Sequence, residues 1–144
     1  MKKIAILFSL LLITTLPALA DEQAISFDEL PKAAKVFITT YFKDVKIQGI
    51  YRERRASLTQ YEIDMAHGID LQFDRTGVCT EVNCKKTVVP NEIIPLKIRE
   101  QLAKDFKGYK VIGYENNGRL YELKLDNGWD LTFNRSARLI DVDN

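Results

Sequence analysis

Residues 121–135, YELKLDNGWDLTFNR, predict two strands joined by a tight turn. Apolar residues alternate with polar ones on both sides of Asp126-Asn127-Gly128, which is the pattern of a half-buried strand. A two-residue turn would mix polar and apolar residues on both faces, whereas a three-residue loop puts every apolar side chain on one face. The cross-strand pairs are then Leu125 with Trp129, Leu123 with Leu131 and Tyr121 with Phe133. Gly128 would take the left-handed conformation that such a loop needs.

Residues 61–75, YEIDMAHGIDLQFDR, repeat this pattern sixty residues earlier. A three-residue loop, Ala66-His67-Gly68, again places the apolar side chains on one face. The predicted pairs are Met65 with Ile69, Ile63 with Leu71 and Tyr61 with Phe73. The opposite face of the two hairpins would carry Glu62, Asp64, Asp70, Gln72, Asp74, Glu122, Lys124, Asp130, Thr132 and Asn134.

The rest of the chain predicts the same order of elements around each hairpin. Apolar residues at helical spacing indicate helices over about 31–42 and 95–106, and short apolar runs indicate strands at 45–51, 78–82, 110–114 and 139–142. Residues 52–57 form a charged connection in this interpretation. The sequence therefore predicts an α+β fold, a tandem duplicated helix plus four-stranded antiparallel meander. Its repeats cover about 26–86 and 87–144, its helices lie on one face of the sheet, and its other face stays open.

Residues 1–20 have the features of an export signal. Lys2 and Lys3 precede an apolar run at 4–12, and Ala18-Leu19-Ala20 resembles a cleavage site. The mature chain would begin near Asp21 as a single domain over 21–144, periplasmic or secreted, with no membrane insertion after cleavage. Loss of the two lysines takes the formal net charge from +1 to −1. A near-neutral domain argues against nucleic acid or anionic lipid as an obligatory partner.

The pattern resembles the PepSY-like family, also described as β-lactamase-inhibitor-like. The matching features are Leu30-Pro31 and Ile94-Pro95 at the helix starts, the Tyr-Glu pairs that open the hairpins, and Asn127-Gly128. The resemblance implies a small exported protein that acts as a binding or inhibitory module. The inhibitor that lends the family its name presents an acidic residue in a hairpin loop of its first repeat. The comparable loop here, Ala66-His67-Gly68, has no acid.

We therefore expect an exported, non-enzymatic module that recognises a periplasmic or cell-surface protein or peptide through its open sheet face and loops. The alternative is a periplasmic small-ligand-binding protein, which would need a concave apolar pocket. No catalytic triad, Gly-rich loop or zinc motif is recognisable in the sequence. We accordingly expect no enzymatic activity, no cofactor and no metal.

Cysteine, histidine and aspartate offer further candidates. Cys79 and Cys84 are the only cysteines, and they form either a disulfide across a bent strand end or two unpaired thiols. His67, the only histidine, is interpreted as a turn residue rather than a catalytic base. Asp64, Asp70 and Asp74 share a polar face, where they are interpreted as solvated residues rather than as an acid-base pair or a Ca²⁺ site.

The candidate partner contacts are Tyr51, Arg52, Arg54, Arg55 and Tyr114. The two tyrosines are predicted at equivalent strand ends, and the arginines follow Tyr51 directly. Aromatic residues and arginine are enriched at interface hot spots. The alternative is an ordinary solvated loop.

Overall fold

Both hairpins have the predicted register in the computed structural model, which describes residues 21–56 and 58–144. Tyr121 pairs with Phe133 and Leu123 with Leu131, and the Leu125 N–H donates to the Trp129 carbonyl at 2.8 Å. The first hairpin pairs Tyr61 with Phe73 and Met65 with Ile69. Gly128 has φ +90°, as the three-residue loop requires. The predicted export signal, residues 1–20, lies outside the described residues.

The strands around these hairpins form one antiparallel sheet in chain order. Its strands are β1 (Asp21–Ala24), β2 (Ile47–Arg55), β3 (Leu58–Met65), β4 (Ile69–Asp74), β5 (Cys79–Cys84), β6 (Val111–Asn116), β7 (Leu120–Leu125), β8 (Asp130–Asn134) and β9 (Leu139–Asp143). The helices α1 (Lys32–Tyr41) and α2 (Leu96–Asp105) precede β2 and β6, and three short 3-10 turns cover Phe27–Glu29, Ala66–Gly68 and Asn91–Ile93. None of the helices in the described part of the chain has the length and apolar character needed to cross a membrane.

The core forms between the helices and the apolar face of the sheet. Ile38 of α1 and Ile98 of α2 are almost fully buried, as are Phe73 and Phe133. They belong to one continuous cluster of buried side chains that extends through both halves of the chain. Each helix follows a proline at its N-cap and ends before a buried phenylalanine. The helical spacing of apolar residues was therefore a sound guide to which residues the helices bury.

The predicted division into two helix-plus-four-strand units is wrong, although the α+β class remains valid. A single nine-stranded sheet runs through the molecule. Strand β5 pairs with β6 through Glu81–Glu115, Val82–Tyr114 and Asn83–Gly113, so hydrogen bonds continue across the point where the units were expected to separate. A ninth strand, β1, pairs with β2 at one edge. Backbone pairing therefore runs without interruption from β1 to β9.

Two strand assignments depend on backbone pairing rather than on side-chain pattern. Strand β1 is only four exposed residues, DEQA, with no apolar alternation. The charged stretch at 52–55, predicted as a connection, is the second half of β2 and pairs with β1 and β3. Neither segment buries large apolar side chains, so the hydrophobic periodicity on which strand prediction relies gives no signal there.

Both edges of the sheet carry carboxylates. Asp21 and Glu22 lie on β1, and Asp141 and Asp143 lie on β9. All four residues are exposed. An edge strand presents unpaired backbone groups, and charged side chains are a common means of preventing another strand from pairing there.

The turn between β4 and β5 packs tightly on the start of α1. Gly77 has φ +88°, and a Cβ at this position would lie 2.8 Å from the Ala34 nitrogen and 2.8 Å from the Pro31 Cβ. Such a separation requires movement of the helix or the turn. The turn at Gly118 has a similar φ of +83° but faces open space.

We expect Gly77→Ala to lower the free energy of unfolding more than Gly118→Ala. Both substitutions carry the left-handed backbone cost of about 1–2 kcal/mol, and only Gly77→Ala adds overpacking, which costs about 1–3 kcal/mol. Chemical denaturation of the two variants beside the wild type measures the difference. Equal losses would mean that the turn does not depend on its contact with α1.

Candidate functional site

The face of the sheet opposite the helices is strongly acidic. Side chains alternate between faces along a strand, so the register assigns each residue to the core face or to the open face. Glu62, Glu122 and Glu115 are cross-strand neighbours of other open-face residues, as are Asp64 and Asp70. The carboxylates assigned to this face are Glu22, Glu53, Glu62, Asp64, Asp70, Glu81, Glu115, Glu122, Asp130, Asp141 and Asp143. We call this surface the acidic face.

The cations among these carboxylates do not balance them. Arg55 pairs with Glu53 at 2.8 Å, Lys85 with Asp70 at 2.8 Å, and Lys124 with Asp130 at 3.6 Å. All three basic side chains are mostly exposed. Exposed ion pairs of this kind contribute little stability and exchange readily with solvent ions. The acidic face therefore keeps a net negative charge.

A cleft of about 420 Å³ opens in the acidic face over Gly113. Gly113 lies between Asn83 and Lys124 in the sheet and contributes no side chain of its own. The cleft is bordered by Glu81, Glu115, Glu122, Lys124, Asp130, Thr132, Asp141 and Asp143, among others. Its walls are thus mainly carboxylates.

Tyr51 explains why the cleft lies in the second half of the sheet. Gly49 pairs with Asp64 as Gly113 pairs with Lys124. A Cβ on Gly49 would meet the ring of Tyr51, whose hydroxyl oxygen would be only 2.6 Å away. Tyr51 therefore lies over Gly49 and fills the space above it. In β6 the matching residue is Glu115, and no ring covers Gly113: a Cβ there would meet the Cβ of the cross-strand Lys124 at 3.1 Å.

Two glutamates on this face have perturbed acidity. Partial burial, and then the neighbouring carboxylates Glu122 and Glu81, raise the pKa of Glu115. Partial burial raises the pKa of Glu62 as well, with Asp64 the next contribution. Both shifts mean that the ionised carboxylates repel one another in an incompletely solvated site. A bound cation would relieve this repulsion.

The five predicted contact residues do not form one surface. Tyr51 and Tyr114 were predicted at equivalent strand ends, but they lie on opposite faces of the sheet. Tyr51 pairs with Glu62 on the acidic face, whereas Tyr114 pairs with Leu123 in the core and is 6% exposed. Burial, with Tyr121 nearby, raises the pKa of Tyr114 to about 12. Tyr114 is therefore a core residue.

The three arginines are also divided between the faces. Arg52 and Arg54 lie on the helix side of the sheet, because they alternate along β2 with the open-face residues. Arg52 donates a 2.6 Å hydrogen bond to Gln23 of β1. Arg55 lies on the acidic face with Glu53. They belong to strand β2 rather than to a flexible basic loop, and Arg52 links this strand to β1 at the sheet edge. Whether any of them contacts a partner stays a prediction.

Cys79 and Cys84 lie at the two ends of β5 with free thiols. Six residues of a continuous strand separate their Cα atoms by about 16 Å, well beyond the ~7 Å limit of a disulfide. The register of β5 shifts between Glu81 and Cys79, which pair with Gln72 and Phe73, but the two thiols are not joined in the structure. Burial raises the pKa of Cys79 to about 12, and its thiol donates to the Glu81 carbonyl.

The remaining candidates have structural surroundings. His67 is an exposed turn residue with φ +64°. Asp70 is paired with Lys85, and Asp74 accepts hydrogen bonds from the backbone N–H groups of Thr76 and Val78. Among residues 21–56 and 58–144, no group of three or more His, Cys, Asp or Glu side chains has a metal-binding arrangement.

Sequence reasoning identified part of the acidic face and missed its centre. The two hairpins contributed Glu62, Asp64, Asp70, Glu122 and Asp130, but Glu81, Glu115, Asp141 and Asp143 come from the flanking strands. The offset of 64 residues that aligns Gly49 with Gly113 also aligns Tyr51 with Glu115. That comparison could have located the cleft.

The sequence matches a protein-family model described as "Putative beta-lactamase-inhibitor-like, PepSY-like" over residues 19–79 and again over 59–141. The chain belongs to the PepSY-like family. The resemblance drawn from the two hairpins is thereby confirmed. No curated protein matches the sequence.

Three solved structures resemble this PepSY-like chain closely. A "putative periplasmic protein" from Bacteroides vulgatus is 35% identical with a TM-score of 0.84, covering 86% of this chain and 98% of its own. A "putative calcium-regulated periplasmic protein" from Bacteroides thetaiotaomicron is 34% identical with a TM-score of 0.84, covering 86% and 98%. A "putative periplasmic protein of unknown function" from B. vulgatus is 29% identical with a TM-score of 0.80, covering 85% and 99%.

We expect Glu115→Gln to stabilise the protein at neutral pH and to have no effect well below pH 4.5, the ordinary pKa of glutamate. Because the folded pKa is raised, ionisation destabilises the fold, and this penalty disappears where the residue is protonated in both states. Solvent screening limits the gain to roughly 0.5 kcal/mol. Urea denaturation at the two pH values measures it, with Glu100→Gln on α2 as control. A gain that persists in acid would contradict the electrostatic cause.

We expect both thiols to be unreactive in the folded protein. Burial disfavours the thiolate, which is the nucleophile that thiol reagents attack. A colorimetric thiol reagent should therefore titrate both cysteines only after unfolding, in the absence of any reductant. An unfolded protein with no titratable thiol would show instead that Cys79 and Cys84 are joined.

Proposed function

We propose that this PepSY-like protein is a periplasmic, non-enzymatic binding module whose acidic face receives a lysine- or arginine-bearing segment of a protein or peptide. The periplasmic descriptions of its similar structures support an exported location. The observation that carries the proposed activity is the cleft over Gly113, whose walls are mainly carboxylates.

Charge complementarity determines the class of partner. A Lys or Arg side chain placed in the cleft would neutralise Glu81, Glu115 and Glu122, whose mutual repulsion contributes to the raised pKa of Glu115. Charged hydrogen bonds formed in a partly desolvated site are stronger than those on an exposed surface. The cleft therefore favours a cationic side chain over a neutral or acidic one.

The sheet around the cleft favours a segment rather than a single ion. Carboxylates continue from the cleft to Glu62 and Asp64 on one side and to Asp141 and Asp143 at the β9 edge. Tyr51 lies on the same face beside Glu62, where its ring can receive an arginine or lysine by cation–π contact. An extended basic segment could engage several of these positions at once.

We expect a lysine-rich peptide to bind saturably, with an affinity that falls as salt is added, because exposed charges are screened. The combined variant Glu81→Gln, Glu115→Gln and Glu122→Gln should weaken binding at least tenfold, on the basis of ~0.5–1 kcal/mol for each exposed pair. Isothermal titration calorimetry measures both effects.

The matched control removes three carboxylates from the other side of the molecule. Glu92→Gln, Glu100→Gln and Asp105→Asn change the net charge equally but lie outside the acidic face. Glu115→Tyr introduces the same side chain that Tyr51 places over Gly49. The new ring should cover Gly113 and block the cleft more completely than Glu115→Gln does. Equal weakening by the control set, or equal binding of an acidic peptide, would refute the proposal.

A further inference from the structure

A second concavity lies on the helix side of the molecule, away from the acidic face. It is a groove of about 690 Å³ between the C-terminal half of α2, the segment that follows it, and residues 88–91. This volume falls within the ~300–1,000 Å³ range of small-molecule sites. The groove is independent of the cleft over Gly113, because the two share no lining residue.

The interior of the groove is apolar. Leu102 and Phe106 of the α2 region form one wall, and Val88, Val111 and Tyr109 contribute others. Val88 and Tyr109 are both 47% exposed. Burying them against an apolar ligand would be favourable at about 25 cal/mol per Å² of apolar surface.

The rim of the groove is basic. Arg99, Lys107 and Lys110 line it, and no carboxylate does. Among residues 21–56 and 58–144, none of these three cations takes part in an ion pair. Three unpaired positive charges around an apolar groove favour an anion that carries an apolar group.

Arg99 adds a specific feature to this rim. It is half-buried, and its Nε is shielded from solvent with no acceptor among the described residues. An N–H donor that has lost water without gaining an acceptor gains more from an incoming anionic oxygen than an exposed donor does.

Two negative groups lie near the rim and oppose it. The Asp126 carboxylate accepts a 3.1 Å hydrogen bond from the Lys110 backbone N–H, and the C-terminus of α2, which ends at the groove, carries roughly half a negative charge. The three full positive charges of the rim outweigh the two together. The electrostatic balance of the groove therefore remains in favour of anions.

We propose that this groove binds a single-chain amphiphile with an anionic head, its alkyl chain lying along Leu102, Phe106 and Tyr109 and its carboxylate or phosphate head held by Arg99, Lys107 and Lys110. A fatty acid and a lysophospholipid share this chemistry. The proposal is separate from peptide binding on the acidic face and does not depend on it.

The protein contains its own reporter for this groove. Trp129 is the only tryptophan, and its ring lies 6.2 Å from that of Phe106 and 5.8 Å from that of Tyr109. A ligand that packs on those two walls changes the environment of Trp129. Its fluorescence should therefore respond to binding in the groove and not to binding on the acidic face.

We expect dodecanoate or dodecyl phosphate, titrated below its micelle concentration, to change Trp129 fluorescence saturably, with calorimetry giving the same affinity. The relative affinity of the two probes identifies the preferred head group. Dodecanol and dodecyl trimethylammonium should bind at least tenfold more weakly, because neither offers an anion to the basic rim.

Lys107→Gln combined with Lys110→Gln should weaken binding roughly tenfold at low salt, since each exposed ion pair is worth a factor of about two to five. Lys97→Gln combined with Lys104→Gln removes the same charge from α2 outside the groove and should leave binding unchanged. Ala103→Phe, which places a ring in the groove from an exposed position, should abolish binding without lowering stability.

Four results would overturn the proposal. The first is an absence of saturable binding by both anionic probes, and the second is equal binding of dodecanol. The third is an equal effect of the two lysine pairs. A change of oligomeric state in the Lys107→Gln, Lys110→Gln variant without ligand would assign the groove to a second copy of the chain and would likewise reject the amphiphile. Peptide titrations on the same variants test peptide binding at the acidic face separately from amphiphile binding in the groove.

Discussion

The pairing of apolar side chains across each hairpin is the constraint on which this structure depends. Tyr61 opposite Phe73 and Tyr121 opposite Phe133 fix the alternation of every neighbouring strand. A shift of one residue would exchange the two faces of the sheet. Burial of one face under α1 and α2 therefore determines, at the same time, which side chains remain outside. The acidic face therefore consists of the side chains that alternate along the strands with those of the core.

The protein is nearly neutral overall, but its acidic and basic side chains lie on different surfaces. Acidic residues collect on the open face of the sheet, and Arg99, Lys107 and Lys110 collect at the groove beside α2. Net charge alone argued against nucleic acid or anionic lipid as an obligatory partner. It gave no sign of the two charged surfaces, because it averages them. Once the register is known, each surface can be assigned the ligand charge that it favours. One molecule can thus present two sites of opposite sign, separated by the thickness of a sheet and a helix layer.

Sequence periodicity predicted the parts of the fold that bury apolar surface. The hairpin registers and the two helices follow from it, within a residue or two at each helix end. Strand β1 and residues 52–55 could not be found this way, because backbone hydrogen bonds rather than buried side chains place them. The same limit produced the incorrect division of the sheet. The pairing of β5 with β6 involves only a few residues, and nothing in their local pattern specifies a neighbour some 30 positions away in the other half.

The site was predictable only in part, since it combines several strands. Tyr51 was predicted as a partner contact, but its role as a cover over Gly49 depends on the shape of the strand. Tyr114 was treated as the equivalent of Tyr51, whereas the residue that occupies its position in the first half is the buried Ile50. Pairing the glycines of β2 and β6 first would have corrected that comparison. The groove beside α2 could not be predicted, as it is formed by residues that meet only in the folded chain.

The carboxylates on β1 and β9 have a consequence for how molecules of this protein meet. Asp21 and Glu22 flank one end of the hydrogen-bonding ladder, and Asp141 and Asp143 flank the other. Two copies that approach edge to edge bring like charges together before any backbone hydrogen bond can form between the chains. Edge-to-edge joining of sheets into filaments is thus opposed. A broad sheet can in this way stay dispersed at high local concentration.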